Sequence, residues 1–292
     1  MKPAPFVYKR PKSLNEAITT LADYGADGKV IAGGQSLVPA MNFRLARPEV
    51  LIDVNEISEI QGVSIESAAI VIGSVTRHAA FHKLVCDDPV GRMLTKVVQN
   101  ISHYPIRQRG TFGGSLCHAD PASEWCLVAT TLGAEFEIVG QGGNRHVFAA
   151  EFFKGAFMTA VGEDELLARV RLSRLPEGWG SGFYEFSRRK GDFALAMSLV
   201  MLKIDAGRIS DVRIGLGAVS GRPLRLDSLE GRLKGRPVNI DTFAEIAQAA
   251  REMVNPSSDI HGSAEYRRDL TATVIKRALI AAAADCDLEK IT

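Results

Sequence analysis

Two segments far apart in the chain carry nearly the same order of residue types: Ala32-Gly33-Gly34-Gln35-Ser36 and Thr111-Phe112-Gly113-Gly114-Ser115. Glycine has no Cβ to hold a ligand off the main chain. Paired glycines therefore let backbone N–H groups close on an anion, while neighbouring hydroxyls add donors. The segments read as two glycine turns forming halves of one phosphate cradle, and a dinucleotide pyrophosphate is its natural guest. A lone Gly-Gly-polar sequence is more often just a tight turn; the second copy and its flanks favour a ligand. Neither segment fits G-x-G-x-x-G, and neither is followed by Gly-Lys-Ser/Thr, which argues against a Rossmann site and a P-loop.

Other reactive residue types are less organised. His118 and Asp120 have the chemistry of a general base and its orienter, since imidazole titrates near neutrality. No serine or cysteine nucleophile is arranged with them, so a structural His118 is the better reading, and His103 has the same status. Cys86, Cys117, Cys126 and Cys286 are irregularly spaced with no C-x-x-C. They read as reduced structural thiols rather than ligands of zinc or an iron–sulfur cluster. Arg188-Arg189-Lys190 is a basic run of the kind that is usually a solvated face.

The elements around the first glycine pair are a helix after Ser13, with Glu16 completing a capping box, and a strand at Lys29–Ala32 that delivers the turn into a short helix from Leu37. Further strands are expected at Val50–Val54 and Ala69–Gly73. Thr76 is expected to cap a helix through Leu84. A longer helix through Met93 and Ile101 should stop at Tyr104-Pro105, just ahead of the second glycine turn. Pro121–Leu132 reads as a helix, while Phe136–Val139 and Leu166–Leu172 read as strands. A boundary is expected near Pro176-Glu177-Gly178-Trp179-Gly180. Beyond it, Ala194–Ile204 is apolar enough for a strand or a helix, Val212–Val219 is a strand, and helices at Asp241–Met253 and Tyr266–Ala284 close the chain.

Composition narrows the function. At 292 residues, 46% hydrophobic and 24% charged, the chain has ordinary globular composition and room for two cores. Its 35 basic and 34 acidic residues leave a net charge of +1, which gives no footprint for nucleic acid or an anionic membrane. The start Met1-Lys2-Pro3-Ala4-Pro5-Phe6 lacks the apolar core of a signal peptide, and no stretch reaches the length of a membrane span. A cytoplasmic location is expected.

The stretch Thr111-Phe112-Gly113-Gly114-Ser115-Leu116-Cys117-His118-Ala119-Asp120-Pro121-Ala122-Ser123-Glu124 is the most specific in the chain. With Ala32–Leu37, Phe152-Phe153-Lys154-Gly155, Ser187–Ala196 and Ser263-Ala264-Glu265-Tyr266-Arg267-Arg268 in order, the chain resembles the FAD-binding medium subunit of the molybdenum hydroxylases, the carbon monoxide dehydrogenase and xanthine dehydrogenase type. The resemblance implies an α+β fold, with a two-lobed PCMH-type (vanillyl-alcohol-oxidase-like) FAD domain at residues 1–176 and a smaller α+β domain, similar to the carbon monoxide dehydrogenase flavoprotein C-terminal domain, at 177–292. FAD would lie extended between the lobes.

The cofactor contacts implied are Ala32, Gly33, Gly34, Gln35, Ser36, Leu37, Thr111, Gly113, Gly114, Ser115, Glu124, Leu167 and Phe193. Glu124 stands where an aspartate commonly binds a flavin hydroxyl; without the resemblance it reads as a helix-start charge. Ser115 replaces a frequent asparagine and Gln35 a frequent histidine, each keeping a hydrogen-bonding side chain. Phe193 matches an aromatic position beside the isoalloxazine, with a core role as the alternative. Glu185 stands where a lysine is frequent, and no contact is assigned to it. Arg188, Arg189 and Lys190 would supply potential favouring reduced, anionic flavin.

The implied role is electron transfer from a [2Fe–2S] small subunit, itself served by a molybdopterin-binding large subunit, to an external acceptor. No catalytic side chain and no metal ligand are assigned. A stand-alone flavin-dependent oxidoreductase of the same superfamily, and a scaffold that kept the fold without the cofactor, are the alternatives.

Overall fold

The computed structural model describes residues 1–288; the last four residues of the expected C-terminal unit lie outside the described residues. The chain opens with a small α/β lobe. Its parallel sheet has the order Val7–Lys9, Val50–Asp53, Gly28–Ile31. Helix Leu14–Tyr24 covers it, burying Ala17 and Leu21 against Ile52, Val54, Ile57 and Ile60. Ser13 caps this helix by accepting from Glu16 N, while the Glu16 carboxylate accepts from Lys12 N rather than closing the box on Ser13.

The second lobe is a five-stranded antiparallel sheet ordered Val63–Ile65, Ala69–Gly73, Leu166–Ser173, Glu135–Gly140, Gly143–Phe148. Helices Pro89–Val97, Phe112–His118 and Glu124–Leu132 fill the core beside it, where Trp125, Phe81 and Phe112 pack with ring centroids 5.0 to 5.5 Å apart. The lobe departs from the sequence reading in three places. Thr76 caps nothing: its hydroxyl donates to Gly62 O, and the turn that follows is a short 3₁₀ segment, His78–His82. Tyr104-Pro105 starts a helix, Tyr104–Arg109, because proline's missing N–H is harmless in a first turn. The helix expected from Pro121 begins at Glu124, with Ser123 as its cap.

The C-terminal part is an antiparallel sheet ordered Trp179–Phe186, Ala196–Asp205, Arg208–Gly217, Leu224–Arg225, backed by helices Ile240–Met253 and Ala264–Leu288. The apolar run that suited helix or strand is a strand buried on both faces. Met197, Leu199 and Met201 join the core of the second lobe, while Ala196, Val200 and Leu202 face the two helices. Gly182 lets the long helix approach: a Cβ there would sit 1.9 Å from Ala278 O. No helix among the described residues is long and apolar enough to cross a membrane.

Candidate functional site

The parallel sheet ends in the first glycine segment. Strand Gly28–Ile31 delivers Ala32–Ser36 to the rim of the first lobe, and helix Leu37–Asn42 carries the chain away. Gly34 sits at φ +71°, in the left-handed region that glycine tolerates and side chains resist. The backbone N–H groups of Gly33, Gly34, Gln35, Ser36 and Leu37 have no acceptor among the described residues; the Gln35 side chain donates to Gly33 O at 2.8 Å. A run of unengaged donors on a half-buried loop is what an anion requires.

The second segment is built differently from the turn expected of it. Thr111 is the N-cap of helix Phe112–His118, its Oγ1 accepting from Gly114 N at 3.1 Å. Phe112 N donates to Thr76 O and Gly113 N to Ser74 O, both at 2.8 Å, and Ser115 N donates to Thr111 O. Its donors are therefore already engaged, which corrects the picture of two equivalent half-cradles. Gly113 is buried, and a Cβ there would lie 2.4 Å from the Ser74 side chain, so its smoothness serves helix packing. Gly114 is exposed and presents bare backbone. The Ser115 hydroxyl shares a 2.8 Å hydrogen bond with that of Ser123.

The two segments are fastened together by residues the sequence reading passed over. Gly33 lies against the residues before Thr111, where a Cβ would be 2.4 Å from Arg109 O. Asn55 donates to Ala32 O at 2.8 Å and accepts from Arg77 Nη2 at 2.7 Å, and Arg77 also donates to Arg109 O. Asn55 and Arg77 thus clamp one glycine segment to the other. Behind them His78 N donates to Gly110 O at 3.0 Å, and His78 Nδ1 accepts from Trp125 Nε1 at 2.9 Å. Burial pushes His78 down to about 4, helped by Arg77 and Arg107, so it is a neutral acceptor at pH 7. The only signal in the sequence was a polar residue soon after each of two apolar strands, which is common at strand ends.

The remaining candidates spread across the lobes. Glu124 opens helix Glu124–Leu132, half-buried, and burial with added repulsion from Asp120 raises it to about 7. The helix-start charge read from sequence is therefore only partly ionised. Glu185, to which no contact was assigned, is raised to about 8 by burial and by Glu124, and its Oε2 is buried with no hydrogen-bond partner. Leu167 is 3% exposed, its side chain in the second-lobe core beside a register shift in its strand. Phe193 is 76% exposed on the loop between two C-terminal strands, which removes the core alternative. His118 is exposed with its ring 5.0 Å from that of Phe157, while Asp120 accepts from Ala122 N; the two do not form a base and orienter. Cys117 is exposed, unlike the buried Cys126 and Cys286, and no disulfide joins any of the four among the described residues.

The free backbone donors at Gly33–Leu37, held against the segment that leads into Thr111, fit a ligand that carries a diphosphate. Known proteins supply its identity. Residues 4–175 match the FAD binding domain in molybdopterin dehydrogenase, and residues 181–282 match the CO dehydrogenase flavoprotein C-terminal domain. The chain belongs to this family: it is a medium-type FAD subunit of the molybdenum hydroxylases, an oxidoreductase flavoprotein whose cofactor is FAD. Caffeine dehydrogenase subunit beta of Pseudomonas sp. (strain CBB1) is 38% identical over 97% of this chain and 96% of its own length. The fold superposes on carbon monoxide dehydrogenase from Hydrogenophaga pseudoflava with TM-score 0.94 at 34% identity, covering 98% of this chain and 100% of the other. Quinoline 2-oxidoreductase from Pseudomonas putida 86 gives 0.92 at 37% identity, covering 98% and 99%.

Proposed function

We propose that this chain is the electron-transfer subunit of a cytoplasmic three-component complex. Electrons would pass from a [2Fe–2S] small subunit, supplied by a molybdopterin-binding large subunit, through this chain's FAD to an external acceptor. The observation that carries the reading is the run of unengaged N–H groups at Gly33–Leu37, clamped by Asn55 and Arg77 to the segment that leads into Thr111. In this reading Ala32, Gly33, Gly34, Gln35, Ser36 and Leu37 hold the pyrophosphate. Thr111, Gly113, Gly114 and Ser115 form the opposite wall, and Glu124 accepts from a flavin hydroxyl. Leu167 and Phe193 border the flavin, and the chain divides into two domains at about residue 176.

When bound, FAD supplies the redox chemistry, accepting and releasing electrons one or two at a time. The chain's residues bind it, orient it and set the charge around it. Purification of the tagged chain from its native source tests the proposal: a small and a large partner should copurify, and the flavin should bleach when the complex receives substrate anaerobically. A purified chain that turns over substrate alone would overturn it in favour of a stand-alone oxidoreductase.

A further inference from the structure

We propose that Arg267 is a positioning residue of the flavin end: it latches the loop that carries Phe193 to the turn before its own helix and to the seam with the second lobe. The inference rests on the FAD reading above, in which Phe193 borders the flavin. It gives a role to the segment Ser263–Arg268, which that reading leaves without one.

Ser263-Ala264-Glu265-Tyr266-Arg267-Arg268 opens the long helix Ala264–Leu288, and within it Arg267 alone is buried, at 7% exposed. An arginine is rarely buried unless its guanidinium is paired. Arg267 Nη1 donates to Leu195 O at 3.1 Å and to Ala218 O at 3.3 Å, and Nη2 donates to Asp259 Oδ2 at 2.8 Å. One planar fork thus joins three segments that are distant in the chain. Nε is buried without an acceptor, so the side chain is placed by what its two Nη groups reach.

Each of the three segments bears on the flavin end. Leu195 closes the loop between strands Trp179–Phe186 and Ala196–Asp205, its N–H donating back to Phe186 O at 2.8 Å. Within that loop Gly191, at φ +89°, rests on the second lobe, where a Cβ would lie 2.3 Å from His103 Cε1. Phe193 stands midway between this contact and the carbonyl held by Arg267, so its exposed ring is carried on backbone fixed at both sides. Asp259 organises the turn, its Oδ1 accepting from His261 N at 2.8 Å and Gly262 N at 3.1 Å. His261 Nδ1 accepts from Arg188 Nη1 at 3.1 Å, which tethers the same loop a second time. Ala218 sits at φ +67°, a conformation that side chains resist, and is held from both directions. Its N–H donates to Pro121 O at 2.9 Å, in the turn that leads into helix Glu124–Leu132, and its carbonyl accepts from Arg267. The latch therefore sets the Phe193 loop in register with the element that carries Glu124. Lysine would keep the charge, but a point donor on a flexible stem cannot span three acceptors in fixed geometry.

The test uses the purified full chain stripped of cofactor and calorimetric titration with two ligands: FAD, and ADP, which carries the adenosine and diphosphate without the flavin. Arg267→Lys, shown folded by far-ultraviolet circular dichroism, should bind FAD about tenfold or more weakly. Its ADP affinity should be unchanged, and the visible circular dichroism of the bound flavin should change. His261→Ala, which cuts only the exposed tether, should show a smaller loss of the same kind. In a Phe193→Ala background the lysine substitution should add little, since both changes act on one contact. Should Arg267→Lys not fold, Asp259→Asn and His261→Ala at the exposed turn read the same split between ligands. Unchanged FAD affinity, equal losses for FAD and ADP, or full additivity with Phe193→Ala would overturn the role. A wild-type chain that binds ADP as tightly as FAD would overturn it too, leaving the pyrophosphate site standing, whereas one that binds neither would overturn the FAD reading with it.

Discussion

Asn55 and Arg77 touch no residue of the second glycine pair itself, yet they decide where it lies relative to the first. Asn55→Ala removes the donor on Ala32 O and the acceptor of Arg77 together. It should lower stability by about 1–2 kcal/mol and lower FAD affinity at least tenfold, read by thermal unfolding and cofactor titration; unchanged affinity would remove the clamp from the account. His78 makes a pH prediction. Its folded value of about 4 lies below the ordinary value of about 6.5, so the neutral form is favoured by folding. The associated stability is present above about pH 6.5 and is lost as pH falls toward 4, about 3 kcal/mol in all. Chemical denaturation should show that slope in the wild type and a shallower one in His78→Gln. Glu185 acts with opposite sign: with its folded value raised to about 8, it disfavours the cofactor-free fold above the carboxylate range. Glu185→Gln should therefore unfold at higher temperature than wild type at pH 8 and at the same temperature at pH 4. Pairwise geometry of this kind is not legible in one sequence, since Asn55 and Arg77 are ordinary residue types in ordinary places.

At the scale of elements the sequence was more informative. Strands announced themselves by apolar runs such as Val50–Asp53 and Ala69–Gly73, which the fold buries. Helices did so by caps such as Ser13 and by the apolar face of the long C-terminal helix. Errors came where local signals were ambiguous in physical terms. Proline at Pro105 is compatible with either end of a helix, and Gly113-Gly114 suggested a turn because glycine is a poor helix former. Tertiary contacts override that preference: Thr111 caps the helix, and Gly113 is the only residue type that fits against Ser74. Thr111→Ala should lower stability by about 1 kcal/mol. Gly215→Ala tests the seam between the domains, since its Cβ would fall 1.8 Å from Thr131 Oγ1 on helix Glu124–Leu132. It should destabilise by about 1–3 kcal/mol, whereas Gly142→Ala, which meets nothing within 4 Å, should change little.

For the molecule as a whole, the C-terminal sheet is both floor and partner to the first domain. Its strand Ala196–Asp205 contributes to the second-lobe core on one face and to its own helices on the other. In the proposed reading the flavin end would draw on both parts of the chain, with Glu124 on the helix Glu124–Leu132 and Phe193 on the loop between two C-terminal strands. Such shared construction would make motif spacing informative at the phosphate end and silent at the flavin end. The phosphate end would be held chiefly by backbone from contiguous residues, and the flavin end by side chains that meet only after folding. In the proposed reading FAD is gripped between Gly33–Leu37 and the wall formed by Thr111–Ser115. Stoichiometric titration of the cofactor-free chain with FAD tests it most directly, comparing wild type with Gly34→Val and Gly114→Val after circular dichroism has shown all three folded. One FAD per wild-type chain and affinity at least a hundredfold weaker in each variant are expected; wild-type affinity retained in both would overturn this placement of the cofactor.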